Sequence, residues 1–261
     1  MIQKITIIGG QNRIGEPEPI QRIDLKMGDV VSVVGPTGSG KTTLINDIEC
    51  FADGNTPTKR RIFINDQLPP PEFRENPALN PIALITQHTT FLSDLPVKNF
   101  LETHARIRSL NGTDQETMLA QCLTFANELT GEPISLNSRM TELSGGQTRA
   151  LLIADATIIC NTPIVLLDEV ENAGIHRSRA LELLRMHKKI FIFVTHDPRI
   201  ALLSDYRIVM RSGSMVKVIP TNSEERALST KVSKLDDLLS AMRDKIRFGE
   251  RLNTFELEGW A

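Results

Sequence analysis

The residues from Gly35 to Thr42, GPTGSGKT, satisfy the pattern G-x-x-x-x-G-K-[ST] at every specified position. Gly35, Gly38 and Gly40 let the backbone curl so that successive N–H groups point inward around phosphate oxygens. Pro36, Thr37 and Ser39 complete the loop. Lys41 is placed to reach the β- and γ-phosphates of a nucleoside triphosphate, and the Thr42 hydroxyl, followed by Thr43, to ligate Mg²⁺. A second group of polar residues ends apolar runs. PIVLLDE (163–169) finishes in Asp168 and Glu169, KIFIFVTH (189–196) in His196, and IALITQ (82–87) in Gln87. Asp168 suits the Mg²⁺ shell, and Glu169 suits a general base for an attacking water. A glycine-rich turn without a ligand is the alternative for 35–42. It is disfavoured because the loop lies between a strand-like run and a helix-like run, where the phosphate chemistry needs it.

The elements that must carry these groups follow from periodicity. Strands are expected at 3–9, within 19–35, at 59–66 on a sheet edge, and at 82–87, 163–169 and 189–196. Helices are expected at 41–50, within 96–129 and at 148–160. The proline-rich stretch 68–81 reads as a surface loop that excludes a helix. Apolar strands alternating with helices predict an α/β fold of the P-loop NTPase kind. Its central sheet is mostly parallel and covered on both faces, with an antiparallel edge region. Leu228, Val232, Leu235, Leu238, Leu239, Met242 and Ile246 give the segment 225–252 helical spacing.

The 261 residues carry a formal net charge of −2, so no global basic field exists to recruit nucleic acid or acidic lipid, although a local patch stays open. Cys50, Cys122 and Cys160 show neither C-x-x-C nor Cys/His metal spacing and read as reduced thiols. No signal-peptide pattern and no apolar run of membrane-spanning length is present. The expectation is a cytoplasmic protein that reaches the inner face of the cell membrane only through a partner.

LSGGQ (143–147), taken with Gln87, Asp168-Glu169 and His196 in that order, makes residues 1–220 resemble the ATP-binding cassette family. The resemblance implies Mg²⁺-dependent ATP hydrolysis by two chains paired head to tail. Each ATP would lie between the phosphate loop of one chain and Ser144, Gly145, Gly146 and Gln147 of the other. Gln87 would sense Mg²⁺ and the attacking water, and His196 would contact the γ-phosphate. A helical subdomain at about 91–145 lies inside the domain 1–220, and 221–261 forms an amphipathic extension. As the energising subunit of a transporter, the chain would pair with an integral-membrane protein. A soluble cassette acting on nucleic acid, ribosomes or protein assembly is the alternative. The single cassette without a long coiled-coil insertion favours transport.

The sequence departs from the family in two places that matter. No aromatic residue precedes Phe51, so the usual adenine-stacking ring is missing, and Arg13 or Ile14 is the candidate to cover the base. After Glu169 the chain reads Val170 to His176, where the family has Pro-Thr-Ser-Ala-Leu-Asp or close to it. Ile175, or His176 with one insertion, stands in place of the aspartate that communicates between the two sites.

Overall fold

Central strands buried on both faces divide their side chains between two cores. In β3 (Val30–Val34), β6 (Ile164–Asp168) and β7 (Ile190–Val194) nearly every position is buried. Because side chains alternate along a strand, Val30, Val165, Leu167, Phe191 and Phe193 pack into one cluster. Val31, Val33, Ile164, Leu166, Ile190, Ile192 and Val194 pack into the other. The computed structural model of the protein describes residues 2–86, 88–91, 94–108, 115–130, 132–169 and 177–252.

Those strands belong to a six-stranded sheet in the order β5-β6-β7-β3-β8-β9, with β5 (Ile82–Thr86), β8 (Tyr206–Arg211) and β9 (Ser214–Pro220). All pairs are parallel except β8–β9, a hairpin at the edge. A separate antiparallel sheet, β2-β1-β4, comprises β1 (Lys4–Ile8), β2 (Arg22–Lys26) and β4 (Arg61–Ile64). Helix α1 (Lys41–Glu49) shares a core with it: Leu44, Ile45 and Ile48 pack in the same cluster as Ile5, Ile7, Ile23 and Leu25. The expected α/β class, parallel centre and antiparallel edge are therefore present.

On the opposite face lie α3 (Val97–Arg108), α4 (Gln115–Leu129), α5 (Gly145–Ala154) and α6 (Arg177–Met186). Leu101, Leu119, Phe125, Leu129, Leu151 and Leu184 fill the core there. Helix α7 (Pro198–Leu203) follows β7, with Asp197 capping it and Pro198 at its first position.

Three local expectations need correction. The stretch 68–81 does contain a helix, the single turn α2 (Glu72–Glu75), with Pro71 at its N-cap. Proline forbids helix interiors but not helix starts. The helix expected from 148 begins at Gly145, because Ser144 caps it. It also does not run regularly to 160: Asp155–Ile159 form a π turn.

By contacts the chain divides into Met1–Thr221 and Asn222–Ala261. In the second unit, α8 (Ser223–Arg247) covers most of the stretch expected to be helical. Asn222 caps it, its Oδ1 accepting from the Glu225 N–H at 2.8 Å.

Candidate nucleotide-binding site

Parallel register brings the candidate residues to one edge of the sheet. Thr86 in β5 stands beside Asp168 in β6, which stands beside Val194 in β7, and Val194 faces Val33 in β3. The segments leaving these strands, Glu169 after β6, Thr195-His196 after β7 and Gly35 after β3, therefore emerge in a row. Ligands of open parallel sheets bind at this carboxyl edge. Gln87 lies outside the described residues, as does the atypical segment 170–176.

The phosphate loop needs its glycines. Gly35, Gly38 and Gly40 have φ of 154°, 74° and 98°, which side chains with a Cβ rarely adopt. A Cβ on Gly35 would meet the Met210 carbonyl oxygen at 2.4 Å and Ser39 Oγ at 2.7 Å, whereas at Gly38 the space is open. Gly40 is the N-cap of α1, so the helix opens onto the loop with its first N–H groups facing it. Thr42 and Thr43 are exposed in that first turn. Lys41 is buried, and its ammonium donates to the carbonyls of Gly35 at 3.0 Å and Pro36 at 3.1 Å. Ser39 Oγ is buried and makes no hydrogen bond among the described residues. An orphaned hydroxyl, an ammonium resting inside the loop and glycine-only backbone fit a polyphosphate. The oxygens of Thr42 and Asp168 are the hard donors that Mg²⁺ takes.

Glu169 and His196 face each other, with His196 Nε2 3.5 Å from Glu169 Oε1 and both side chains reachable from solvent. Glu169 holds φ at 51°, and its N–H donates to the Val194 carbonyl at 3.0 Å. The carboxylate is thus turned out of the strand direction by a backbone conformation that is unusual for glutamate.

Ser144 and Gln147 form a reciprocal cap. Gln147 N donates to Ser144 Oγ at 3.3 Å, and Ser144 N donates to Gln147 Oε1 at 2.9 Å. The Gln147 amide also donates to the carbonyls of Glu132 at 3.4 Å and Pro133 at 3.3 Å. Its side chain is occupied in building the turn. That turn presents exposed Ser144 and Gly145 and half-buried Gly146 at the start of α5.

A pocket of about 580 Å³ opens beside the loop, lined by Asn12, Arg13, Ile14, Pro36–Ser39, Arg211 and Ser212. Arg13 Nη2 donates to the Gly38 carbonyl at 2.8 Å, which brings the guanidinium plane to the loop where an aromatic ring is missing.

Sequence reasoning missed what holds this pocket together. Gly213, φ 89°, sits in the β8–β9 turn; its N–H donates to the Ser39 carbonyl at 2.9 Å. Behind it Arg60, fully buried, donates to Glu18 at 2.6 and 2.9 Å, to Asp47 at 2.9 Å and to the Gly213 carbonyl at 2.8 Å. Glu18 in turn accepts from Met215 N at 2.7 Å and Gly10 N at 3.0 Å. This ionic cluster ties the 10–18 loop, α1 and the hairpin turn around the phosphate loop. The lone sequence signal was the Ser-Gly-Ser turn at 212–214.

Comparison with known proteins agrees with this geometry. The family described as "ABC transporter" matches residues 21–172. An uncharacterized ABC transporter ATP-binding protein of Methanocaldococcus jannaschii is 49% identical over 251 residues, 96% of this chain and 95% of its own. A spermidine/putrescine import ATP-binding protein of Bacillus cereus is 28% identical over 79% of this chain and 62% of its own length. Among solved structures, the dimeric post-hydrolysis state of an ATP-binding cassette bound to ADP and Pi shares the fold. Its TM-score is 0.61 at 22% identity, covering 84% of this chain and 99% of that one.

Proposed function

This chain belongs to the ABC transporter family, and from that premise we propose that it binds and hydrolyses ATP to energise transport through a membrane-spanning partner. The observation that carries the chemistry is the row at the carboxyl edge of the sheet: phosphate loop, Asp168, Glu169 and His196 on neighbouring strands.

Lys41 transfers its hydrogen bonds from the Gly35 and Pro36 carbonyls to the β- and γ-phosphates, and the loop N–H groups and the start of α1 hold the remaining charge. Thr42 and Asp168 would hold Mg²⁺, which would supply neutralisation of the phosphate charge. Glu169 accepts a proton from water as the water oxygen attacks the γ-phosphorus in line. The bond to the bridging oxygen breaks, and ADP and phosphate leave. His196, beside Glu169, donates to a γ-phosphate oxygen. Arg13 and Ile14 cover the base.

The phosphate loop is half of the site. The Ser144–Gly146 turn of a second copy closes on the γ-phosphate, so that ATP binding pairs two chains and hydrolysis separates them. Among the described residues no helix is long and apolar enough to cross a membrane. In this reading the membrane spans belong to the partner, and the chain works peripherally on the inner membrane face. Mg²⁺, the homodimer, this location and the individual residue roles rest on the fit of these groups to the chemistry.

Co-purification tests the reading. The tagged chain, expressed with its native cellular complement, should bring down an integral-membrane protein in detergent, and reconstitution of the pair should raise ATPase activity. Association with ribosomes or nucleic acid in place of a membrane protein would overturn transport and favour a soluble role.

A further inference from the structure

Away from the nucleotide site, the π turn gathers three metal-ligating groups of different kinds. His104 on α3 places Nδ1 2.8 Å from Asp155 Oδ2, and Cys160 Sγ is 3.7 Å from the same oxygen. One ligand atom from each of the three lies within 4.8 Å of the others. In a regular α-helix residues i and i+5 point about 140° apart. Here the Cys160 N–H donates to the Asp155 carbonyl at 2.8 Å, the i→i+5 bond of a π turn, and both side chains reach one spot. Such turns mark functional sites more often than chance.

A second observation is independent of the clustering. Asp155 is 4% exposed, and its Oδ1 is buried without a hydrogen bond among the described residues. Buried carboxylates are paired or coordinate metals, and His104 satisfies only the other oxygen. The neighbouring cations are engaged elsewhere. Arg108 donates to the carbonyls of Pro77 and Ala78, and Lys189 to Asn161 Oδ1 and the Thr162 carbonyl.

We propose that His104, Asp155 and Cys160 bind one zinc-type divalent ion. Imidazole, carboxylate and thiolate are its usual ligands, with bonds of about 2.0–2.3 Å, and three protein ligands leave a fourth position for water. The site requires the ligand atoms to settle roughly 3.3–3.8 Å apart. From the present spacing this is a small rotation of the Cys160 and His104 side chains. The Cys160 thiol releases its proton to solvent as the metal–sulfur bond forms. The proton on His104 Nδ1 passes to Nε2 by exchange with solvent, so the Nδ1–Asp155 hydrogen bond is replaced by two metal bonds, and the −2 charge of thiolate and carboxylate cancels that of the ion. His104, partly exposed and packed on Phe100 at 4.2 Å between ring centroids, is the entry side. The ion would fasten α3 to the turn that leads into β6, the strand bearing Asp168.

Cobalt(II) is the probe, added to the full chain stripped of metal, kept reduced and free of nucleotide. One equivalent should give tetrahedral ligand-field absorption with a thiolate-to-cobalt charge-transfer band, which Zn²⁺ then bleaches. Gly35–Thr43, Asp168, Glu169 and His196 include no cysteine, so cobalt bound by them cannot produce that band. Cys160→Ser should abolish it, and His104→Gln should weaken cobalt binding at least about tenfold. Zn²⁺ at about 100 times Kd should raise the thermal midpoint of the wild type by roughly 5–10 °C and leave that of Cys160→Ser unmoved. Absence of the band in the wild type, or its survival in Cys160→Ser, overturns the proposal. If Cys160→Ser fails to fold, His104→Gln decides: unchanged cobalt affinity overturns the site.

Discussion

His196 Nε2 stands 3.5 Å from Glu169 Oε1, although 27 residues of chain separate them in the numbering, because β6 and β7 are adjacent and in register at Asp168 and Val194. The imidazole is near enough to steer the carboxylate, at a distance beyond that of a strong hydrogen bond. The Glu169 carboxylate stays reachable from solvent, as the proposed role of base requires.

Glu169→Gln keeps the shape of that side chain and removes its ability to take a proton. Turnover should fall by about 100-fold or more, while ATP affinity stays within a few-fold of the wild type. Gel filtration with ATP should then show a long-lived dimer. Steady-state hydrolysis at the normal rate in this variant would remove Glu169 from the role of base.

Gly40→Ala tests the loop's backbone. The residue sits at φ 98°, and an added Cβ would lie 3.0 Å from the Cα of Gly213. Left-handed conformation alone costs a non-glycine residue about 1–2 kcal/mol, and backbone cannot swing aside as a side-chain tip can. The variant should lose at least that much stability in a urea titration, and nucleotide affinity should drop with it. An alanine variant as stable as the wild type, binding ATP normally, would contradict the close packing of the hairpin turn on the loop.

How much of this was legible in the sequence depends on how local each feature is. The phosphate loop and Asp168-Glu169 are runs of adjacent residues on elements whose periodicity is plain, and they occupy the expected places. The cap at Ser144 is equally local, and it starts α5 at the turn proposed to contact the nucleotide of a second copy. That Gln147 closes on Ser144 and on Glu132 and Pro133 emerges only from the fold. Arg60 meets Glu18 and Gly213 across 42 and 153 residues. Nothing in a run such as TKRRIF distinguishes the buried Arg60 from the exposed Arg61. The π turn was invisible because its residues fit helical spacing, and a one-residue widening leaves the apolar pattern intact.

Arg13 should bear on the base. Its guanidinium reaches the Gly38 carbonyl at 2.8 Å and lines the pocket beside the loop. Stacking of a guanidinium on a ring is worth about 1–2 kcal/mol, so Arg13→Ala should weaken ATP binding about 5- to 30-fold. A planar cation has no hydrogen-bond pattern peculiar to adenine, and discrimination between ATP and GTP should be under about tenfold in competition. A strong preference for ATP, or an Arg13→Ala variant with unchanged affinity, would place the base elsewhere.

Asp24 predicts how the three-stranded sheet responds to acid. The Arg22 guanidinium bonded to it, and then the Thr6 hydroxyl at 2.6 Å on the facing strand, hold its carboxyl down at about 2 instead of 3.8. Between those values the unfolded chain binds a proton that the folded chain does not. This contribution is therefore complete above about pH 4 and is lost as the pH falls towards 2. Arg22→Gln should shift the Asp24 titration upward in a carbon-detected NMR experiment and flatten this part of the pH dependence of stability. A carboxyl that titrates at its ordinary value in the wild type would refute the pairing.

Arg60 is the test of what holds the nucleotide pocket in shape. It is fully buried, as is Glu18, and Asp47 nearly so. The three charges are tolerable because Arg60 Nε, Nη1 and Nη2, both Glu18 oxygens and Asp47 Oδ2 all find partners. Asp47 also accepts from Thr58 Oγ1 at 2.8 Å, and Glu18 from two backbone N–H groups. Arg60→Met keeps much of the volume and removes the cation. Two carboxylates are then buried against each other and the Gly213 carbonyl loses a donor. Breaking a buried pair from one side costs about 3–5 kcal/mol, which for a unit of this size lowers the thermal midpoint by roughly 6–20 °C. Because Gly213 is held through this cluster against Ser39 and Gly40, surviving folded protein should also bind ATP more weakly than the wild type. Denaturant unfolding and nucleotide titration of the same preparation measure both. A loss below about 1 kcal/mol with unaltered ATP affinity would mean that the hairpin turn is positioned by its apolar packing on Met210 and Met215, and that the ionic cluster is incidental to the site.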